Sequence, residues 1–498
     1  MTERLIVPVA YEGIHDSRLG SYTDQLLHDI MLESPGGVIA GYGLYKLLSI
    51  TREALQGKGE WSFYIHGDKR KVKVGTRDRR VVGPHYVERV SYRPPLVRSN
   101  NGEWEKDSSK GGQKRKRYRP LTVKWIVWNL ELFMPGCHPV EAGERLLRIC
   151  QRRSINPKST PGALGSAMLR ASSEWKKDRQ PAPFFISDIA RKHLPGNYYE
   201  HKPSFLKAKR VTLFDQAAAH HNIVNSIPLP DPSSVRRRGI NMQRAEGDPK
   251  RMKRVPRILE NHWGLLHAKI ECDTIPREVS HLYPRWARDK GTHWRMVWTP
   301  ELRLLDKRVR LLGVSSAFTG YKPDIALLEY SDFALREIEG DPNPVVKAAL
   351  HAAYGSLAAR TRKEYEIIVA GREQSSMSEK VKLPLFGEAQ SFTIPRVKRP
   401  LIQNVIAYGV IQAEQTTRSI EFGRSLEAEG YPVLQVYADA VLAGVSQLPF
   451  TPDGWIAKHL LDDLVAGAPN QIISETVQRL PGIHGVRRRA MVLKRVLS

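Results

Sequence analysis

Residues 401–445 leave this chain the fewest structural choices. Residues 401–429 carry apolar side chains at helical spacing, which predicts one long helix. That helix runs straight into residues 430–444, GYPVLQVYADAVLAG. The stretch reads as a strand over 432–437, a turn at Ala438-Asp439-Ala440 and a second apolar run over 441–445. One carboxylate, Asp439, stands where the hairpin turns. A carboxylate in such a place costs free energy to bury unless a metal or a cation holds it. The alternative is an Asp in a solvent-exposed hairpin turn.

The rest of the composition narrows the partner. With 498 residues the chain has room for about two to four domains and a sizeable core. Its 78 basic against 52 acidic residues give a formal charge of +26, which suits a polyanion, nucleic acid above all. A merely solvated basic surface is the alternative. No amphipathic basic helix stands out to bind an anionic membrane. Cys137, Cys150 and Cys272 are too scattered for a disulfide framework or a zinc site, and suit a reducing compartment. No apolar run approaches a membrane span, and the opening MTERLIVPVAYEG lacks a signal-peptide pattern. The expectation is a soluble, cytoplasmic protein with no membrane partner.

In chain order, short apolar runs at 5–10, 38–48 and 61–66 precede residues 99–120, SNNGEWEKDSSKGGQKRKRYRP. These read as a flexible basic loop, in which Lys114, Arg115, Lys116 and Arg117 are candidates for phosphate contact. A solvated loop or a localisation signal would match the same residues. A strand is expected at 121–133 and a helix at 139–153 with Leu146, Leu147 and Cys150 on one face. Further helices are expected at 163–175 and 186–193, then a strand at 210–214 ending at Asp215. Residues 226–257 are basic and turn-rich, and strands follow at 263–271, 293–298 and 309–315. The spacing predicts a helix over 344–364 interrupted only at Gly355, a loop-rich connection with two strand candidates over 365–399, and a short helix at 456–464.

Three pieces occur in an order that suits nucleotidyl transfer: Leu213-Phe214-Asp215, then Lys347-x3-His351-x2-Tyr354-Gly355, then Tyr437-Ala438-Asp439. Carboxylates from neighbouring strands can bridge two Mg²⁺ ions about 3.5–4 Å apart. Lys347 and Tyr354 lie seven residues apart, so a helix stacks them on one face with His351 between. A Lys there can meet triphosphate oxygens as a point charge. Tyr354 can pack at the nascent base pair, and Gly355 lets a template backbone approach. An ordinary surface helix with a C-terminal Gly explains the middle piece alone.

The ordered triple resembles family B DNA polymerases, closest to the protein-primed branch of phages and linear plasmids. Asp215 matches the motif A aspartate, while Lys347, Tyr354 and Gly355 match motif B at its spacing. Asp439 matches the second, metal-binding aspartate of the motif C hairpin. Upstream, Ser166–Arg170 and the run from Ala190 to Asn197 resemble the segments that join exonuclease and polymerase domains, and 470–483 resembles a thumb. The departures are that His220 stands for the motif A tyrosine, His221 for its proline, His351 for the motif B asparagine and Tyr437 for the first motif C aspartate. A reverse transcriptase shares Tyr-Ala-Asp but not the Lys347–Gly355 helix.

The resemblance implies an α+β right-hand fold of palm, fingers and thumb behind a degenerate exonuclease-like α/β domain. The implied domains are 1–155 exonuclease-like, 156–210 connection, 211–340 palm with motif A, 341–370 fingers, 371–450 palm with motif C, and 451–498 thumb. The implied metal ligands are Asp215, Asp439 and the Gln216 backbone carbonyl, holding two Mg²⁺, or Mn²⁺ in their place. Lys347, His351, Tyr354 and His220 would meet the nucleotide. Gly355, Arg396, Lys398 and Arg399 would meet nucleic acid. The implied partners are a DNA primer-template, deoxynucleoside triphosphates and a terminal protein or other priming partner. Residues 1–150 contain no D-x-E, so no proofreading exonuclease is expected. Two alternatives stay open: a ribonucleotide-tolerant or self-priming polymerase, and a catalytically silent polymerase fold acting as a nucleic-acid-binding scaffold.

Overall fold

One helix start is written plainly in the sequence. Thr160 caps the helix at Pro161–Arg170, its hydroxyl accepting from Ala163 N at 3.3 Å with Pro161 in the first turn. The computed structural model describes residues 139–172, 182–196, 199–201, 211–239, 263–358, 403–445 and 451–461, Phe133, and the strands outside those spans that are named below. Its helices are α1 (Pro139–Arg152), α2 (Pro161–Arg170), α3 (Phe184–Lys192), α4 (Ala219–Ser226), α5 (Ile325–Gly340), α6 (Pro344–Leu357) and α7 (Val405–Ala428). The chain divides into two compact units, Met1–Lys176 with Arg336–Ser356, and Lys177–Leu335 with Leu357–Ser498.

The first unit contains a mixed sheet of β1 (Leu5–Val9), β2 (Gly37–Gly41), β3 (Glu60–Ile65), β4 (Lys71–Lys73), β5 (Val87–Arg93) and β6 (Val123–Asn129), in the order β1-β2-β6-β5-β3-β4. β1, β2 and β6 run parallel and the remaining pairs antiparallel. Helix α1 buries Leu146, Leu147 and Cys150, the face its periodicity predicts. Arg152 pairs with Glu337 at 2.7 Å, and Arg145 pairs with Asp341. Helices α2 and α6 touch backbone to backbone: a Cβ on Gly165 would lie 2.6 Å from Ala353 N. Ser166 Oγ donates to Ser356 Oγ at 2.5 Å beside that contact.

The second unit holds three sheets, two of which pack with α7 around its core. A five-stranded sheet orders as β18-β8-β17-β16-β7, from β7 (Tyr199–His201), β8 (Val211–Gln216), β16 (Val433–Tyr437), β17 (Ala440–Ala443) and β18 (Trp455–Leu461). An antiparallel sheet orders as β11-β10-β12-β9, from β9 (Arg236–Gly239), β10 (Trp263–Cys272), β11 (Gly291–Trp298) and β12 (Val309–Gly320). One core joins them: Phe214, Val436 and Val441 from the first sheet, Leu266, Ala268 and Ile270 from the second, and Ile420 from α7. Three more strands, β13 (Arg362–Ala370), β14 (Val381–Lys382) and β15 (Gln390–Lys398), pair as β13-β15-β14.

Two expectations are corrected here. The helix expected over 344–364 stops at Leu357, and Arg362–Ala370 is a strand. Its Tyr, Ile and Val residues suit a strand, and β15 supplies the partner. The helix expected at 456–464 is instead strand β18, whose Lys458 and Ala457 pair with Leu213 and Phe214 of β8. A short apolar run is ambiguous by period, and an open sheet edge decides it. Among the described residues no helix is long and apolar enough to cross a membrane.

Candidate active site

The backbones of Asp215 and Asp439 come close together at one end of the five-stranded sheet. The hairpin reads as expected: Val436 pairs with Val441, so Ala438 and Asp439 make the turn between β16 and β17. β17 then lies against β8 with Ala440 opposite Asp215 and Val441 opposite Phe214. Gln216 N donates to the Asp439 carbonyl at 2.8 Å, which makes Asp215 and Ala440 a non-hydrogen-bonded pair. Such pairs hold their Cα atoms about 4.5 Å apart. Asp439, one residue on, therefore has its Cα roughly 5–7 Å from that of Asp215.

Alternation along β8 decides which way Asp215 looks. Phe214 meets Phe422 of α7 edge-on at 5.3 Å, and Gln216 Nε2 donates to Gln415 O and Ser419 Oγ of α7, both at 2.9 Å. Asp215, between them in sequence, points to the opposite face of the sheet. That face carries the cluster Leu213, Tyr437, Ala440 and Leu442. Asp215 and Asp439 are each half-buried. Among the described residues no group of three or more His, Cys, Asp or Glu is placed to hold a metal. What the site offers is two Asp residues whose backbones lie close together, with backbone carbonyls beside them; oxygen donors of this kind are what hard divalent cations prefer.

Helix α7 supplies residues that the sequence motifs do not flag. Ser419 Oγ donates to the Ala438 carbonyl at 3.3 Å, bracing the hairpin turn. Gln412 Nε2 donates to Gln415 Oε1 at 3.1 Å and lies 3.4 Å from His220 Nε2 on α4. His220, Gln412, Gln415, Gln216, Ser419 and Ala438 thus form one polar chain behind the carboxylates. The signal available in sequence is the stripe Gln412, Gln415, Ser419, uncharged polar residues at helical spacing on one side of the helix. On another side of α7, Glu414 is 2% exposed and bonds Arg303 at 2.8 Å and Arg418 at 2.7 Å. Burial works against the Arg303 charge, but Glu421 and Glu414 outweigh it and hold the guanidinium protonated. The helix is therefore fixed by a charge cluster as well as by apolar packing.

The link from β8 to α4 is a tight one. Ala218 adopts φ 41°, ψ 42°, the left-handed region that a Cβ disfavours. Asn222 Nδ2 donates to the Ala217 carbonyl at 2.6 Å and holds the turn. This strained link carries His220 round to Gln412 within five residues of Asp215.

The other predicted residues fall elsewhere. Lys347, His351, Tyr354 and Gly355 all lie on α6, in the first unit. Lys347 and Gly355 are exposed, His351 is half-buried, and the Tyr354 ring is 1% exposed in that unit's core. A Cβ on Gly355 would meet nothing within 4 Å. Arg396 and Lys398 lie on β15, opposite Glu364 and Arg362. Lys114, Arg115, Lys116, Arg117, Arg399 and the expected thumb at 470–483 lie outside the described residues.

No protein-family profile matches the chain, and neither does any curated protein. Among solved structures, the chain is similar to phi29 DNA polymerase complexed with single-stranded DNA, at 11% identity over 85% of this chain and 74% of that one, with a TM-score of 0.49. It is likewise similar to phi29 DNA polymerase complexed with primer-template DNA and incoming nucleotide substrates, at 10% identity over 85% and 75%, with a TM-score of 0.49.

Proposed function

We propose that the chain is a template-directed, DNA-dependent DNA polymerase. The observation that supports the reading is the pairing of β8 with the β16–β17 hairpin, which brings the backbone of Asp439 next to that of Asp215. Two carboxylates with Lys347 on a helix between them in sequence, in a chain of formal charge +26, suit transfer of a nucleotide on a nucleic-acid template.

Asp215, Asp439 and the Gln216 carbonyl would hold two Mg²⁺ ions, with Mn²⁺ as a substitute. Bound there, the ions would activate a primer 3′-hydroxyl and offset the charge on the transferring phosphoryl group. The chain's own residues have separate tasks. Gln216 and Ser419 fix the strand end and the turn, so that neither carboxylate needs to reorganise. Lys347 would neutralise triphosphate oxygens. His220, held by Gln412, would stand near the sugar. Gly355, Arg396, Lys398, Arg399 and Lys114–Arg117 would meet template or primer, and a terminal protein or other priming partner would supply the first hydroxyl. Residues 1–155 would contribute no proofreading, because 1–150 hold no D-x-E.

Primer extension on a defined template with Mg²⁺ tests the reading. Extension by the parent protein, lost in Asp215→Asn and Asp439→Asn, supports it. Equal use of ribonucleotides would move the reading to a sugar-tolerant enzyme through His220. No extension with either sugar would leave a silent scaffold. Metal-dependent degradation of single-stranded DNA, abolished by carboxylate changes within 1–150, would overturn the missing exonuclease.

A further inference from the structure

The four-stranded sheet of the second unit has a second face. Leu266, Ala268 and Ile270 enter the core, so His267 and Lys269 stand on the opposite side of β10. Helix α3 covers one end of that side, where Trp298 Nε1 donates to the His193 carbonyl at 2.8 Å. Further along the sheet the side chains are open. Trp294 is 40% exposed, and its ring stacks on His267 at 4.9 Å with 24° between the planes. From α3, Phe185 is 52% exposed. A cavity of about 270 Å³ lies here, lined by Phe185, Ile189, His267, Met296 and Phe318 together with Arg237 and Ser316. Arg237 belongs to the edge strand β9, all of whose residues are exposed, and sits opposite Phe318.

We propose that this face binds single-stranded nucleic acid: one unpaired base enters the cavity beside the His267–Trp294 stack, and the adjoining phosphate meets Arg237. Exposed aromatic planes over an apolar floor recognise any base through its π-face, and a guanidinium beside them recognises the backbone. An apolar peptide would find the floor but has no use for Arg237, whereas a phosphate next to a base uses both. The His267 ring is held in place by Ser315, whose Oγ lies 2.6 Å from Nδ1, so the stacking plane is pre-set. The site does not depend on the carboxylate pair. A chain unable to transfer nucleotides would still hold a strand here.

Fluorescence anisotropy of a labelled oligothymidylate, with oligouridylate as the parallel probe, tests the site at several salt concentrations. Phe185→Ala, Trp294→Ala and Arg237→Ala should each weaken binding about 5–10-fold. Trp294→Phe should recover most of the loss, and Arg237→Ala should lower the salt slope by about 0.7. Equal losses on both probes assign the site to base and phosphate alone, and a loss on one assigns it to DNA or to RNA. Melting curves check folding; a misfolded Trp294→Ala leaves the decision to Phe185→Ala and Arg237→Ala. All variants within twofold of the parent would overturn the site, as would a dimer that dissociates in Phe185→Ala. Asp215→Asn separates the two proposals. Binding retained by that variant with extension lost supports both, whereas extension untouched by the aromatic changes alongside unchanged binding sinks only this one.

Discussion

Gly409→Ala is the change whose cost can be worked most closely. Helix α7 crosses β11 at Gly409, and a Cβ there would lie 2.0 Å from Trp298 Cη2, 2.3 Å from Cζ2 and 2.5 Å from Cζ3. Carbon atoms pack best at about 3.5–4.0 Å, so helix and ring must separate by roughly 1.5–2 Å. The ring has nowhere to go. Trp298 is 2% exposed, its Nε1 is tied to His193 O at 2.8 Å, and its backbone N–H donates to Glu301 Oε2 at 2.7 Å. Overpacking of this kind costs about 1–3 kcal/mol, offset by the ~0.5–1 kcal/mol that Ala gains over Gly in a helix. The expected net loss is about 1–2 kcal/mol, read as a lower urea midpoint at unchanged m-value. Because Gln412 follows one turn later, primer extension should fall as well. Trp298→Phe removes the clashing ring atoms, so the double variant should cost at least about 0.5 kcal/mol less than the sum of the singles. A Gly409→Ala protein as stable as the parent would refute the helix–sheet contact and with it the bracing of the site by α7.

Other outcomes follow from single side chains. Burial pushes the Glu301 carboxyl up to about 7, against the hydrogen bonds it accepts from Trp298 N and Trp286 Nε1. An unfolded Glu titrates near 4.3, so the folded state binds the proton more tightly between about 4.3 and 7, and stability falls as pH rises through that window. In Glu301→Gln that slope should vanish from urea melts; a parallel pH profile in both proteins would contradict it. Gln216→Leu removes two buried hydrogen bonds to α7 and should cost about 1–3 kcal/mol in stability. It should also lower kcat more than it raises KM, whereas a change in KM alone would argue against a positioning role.

Much of the fold was legible because period and turn chemistry agree. The hairpin at Asp439 and the strand ending near Asp215 stand where alternation and apolar runs put them. Their contact was not legible, since a pairing register between strands over two hundred residues apart leaves no local mark. Strand β18 was misread for a related reason: Trp455–Leu461 suits helix or strand locally, and only the free edge of β8 chooses. The α7 braces Gln412, Gln415 and Ser419 escaped notice because polar residues on a helix ordinarily face water. Here they face Gln216, His220 and Ala438. Tyr354 shows the opposite limit, since a motif spacing cannot tell a ligand-facing ring from the core ring found in α6.

The central claim is that Asp215 and Asp439 act as one unit, and a double-mutant cycle on single-turnover primer extension tests it most directly. Groups that hold the same ions lose nearly everything when either is removed, so Asp215→Asn, Asp439→Asn and the double variant should all fall to one common residual rate. Independent losses that multiply in the double variant, or full activity in either single one, would contradict the account.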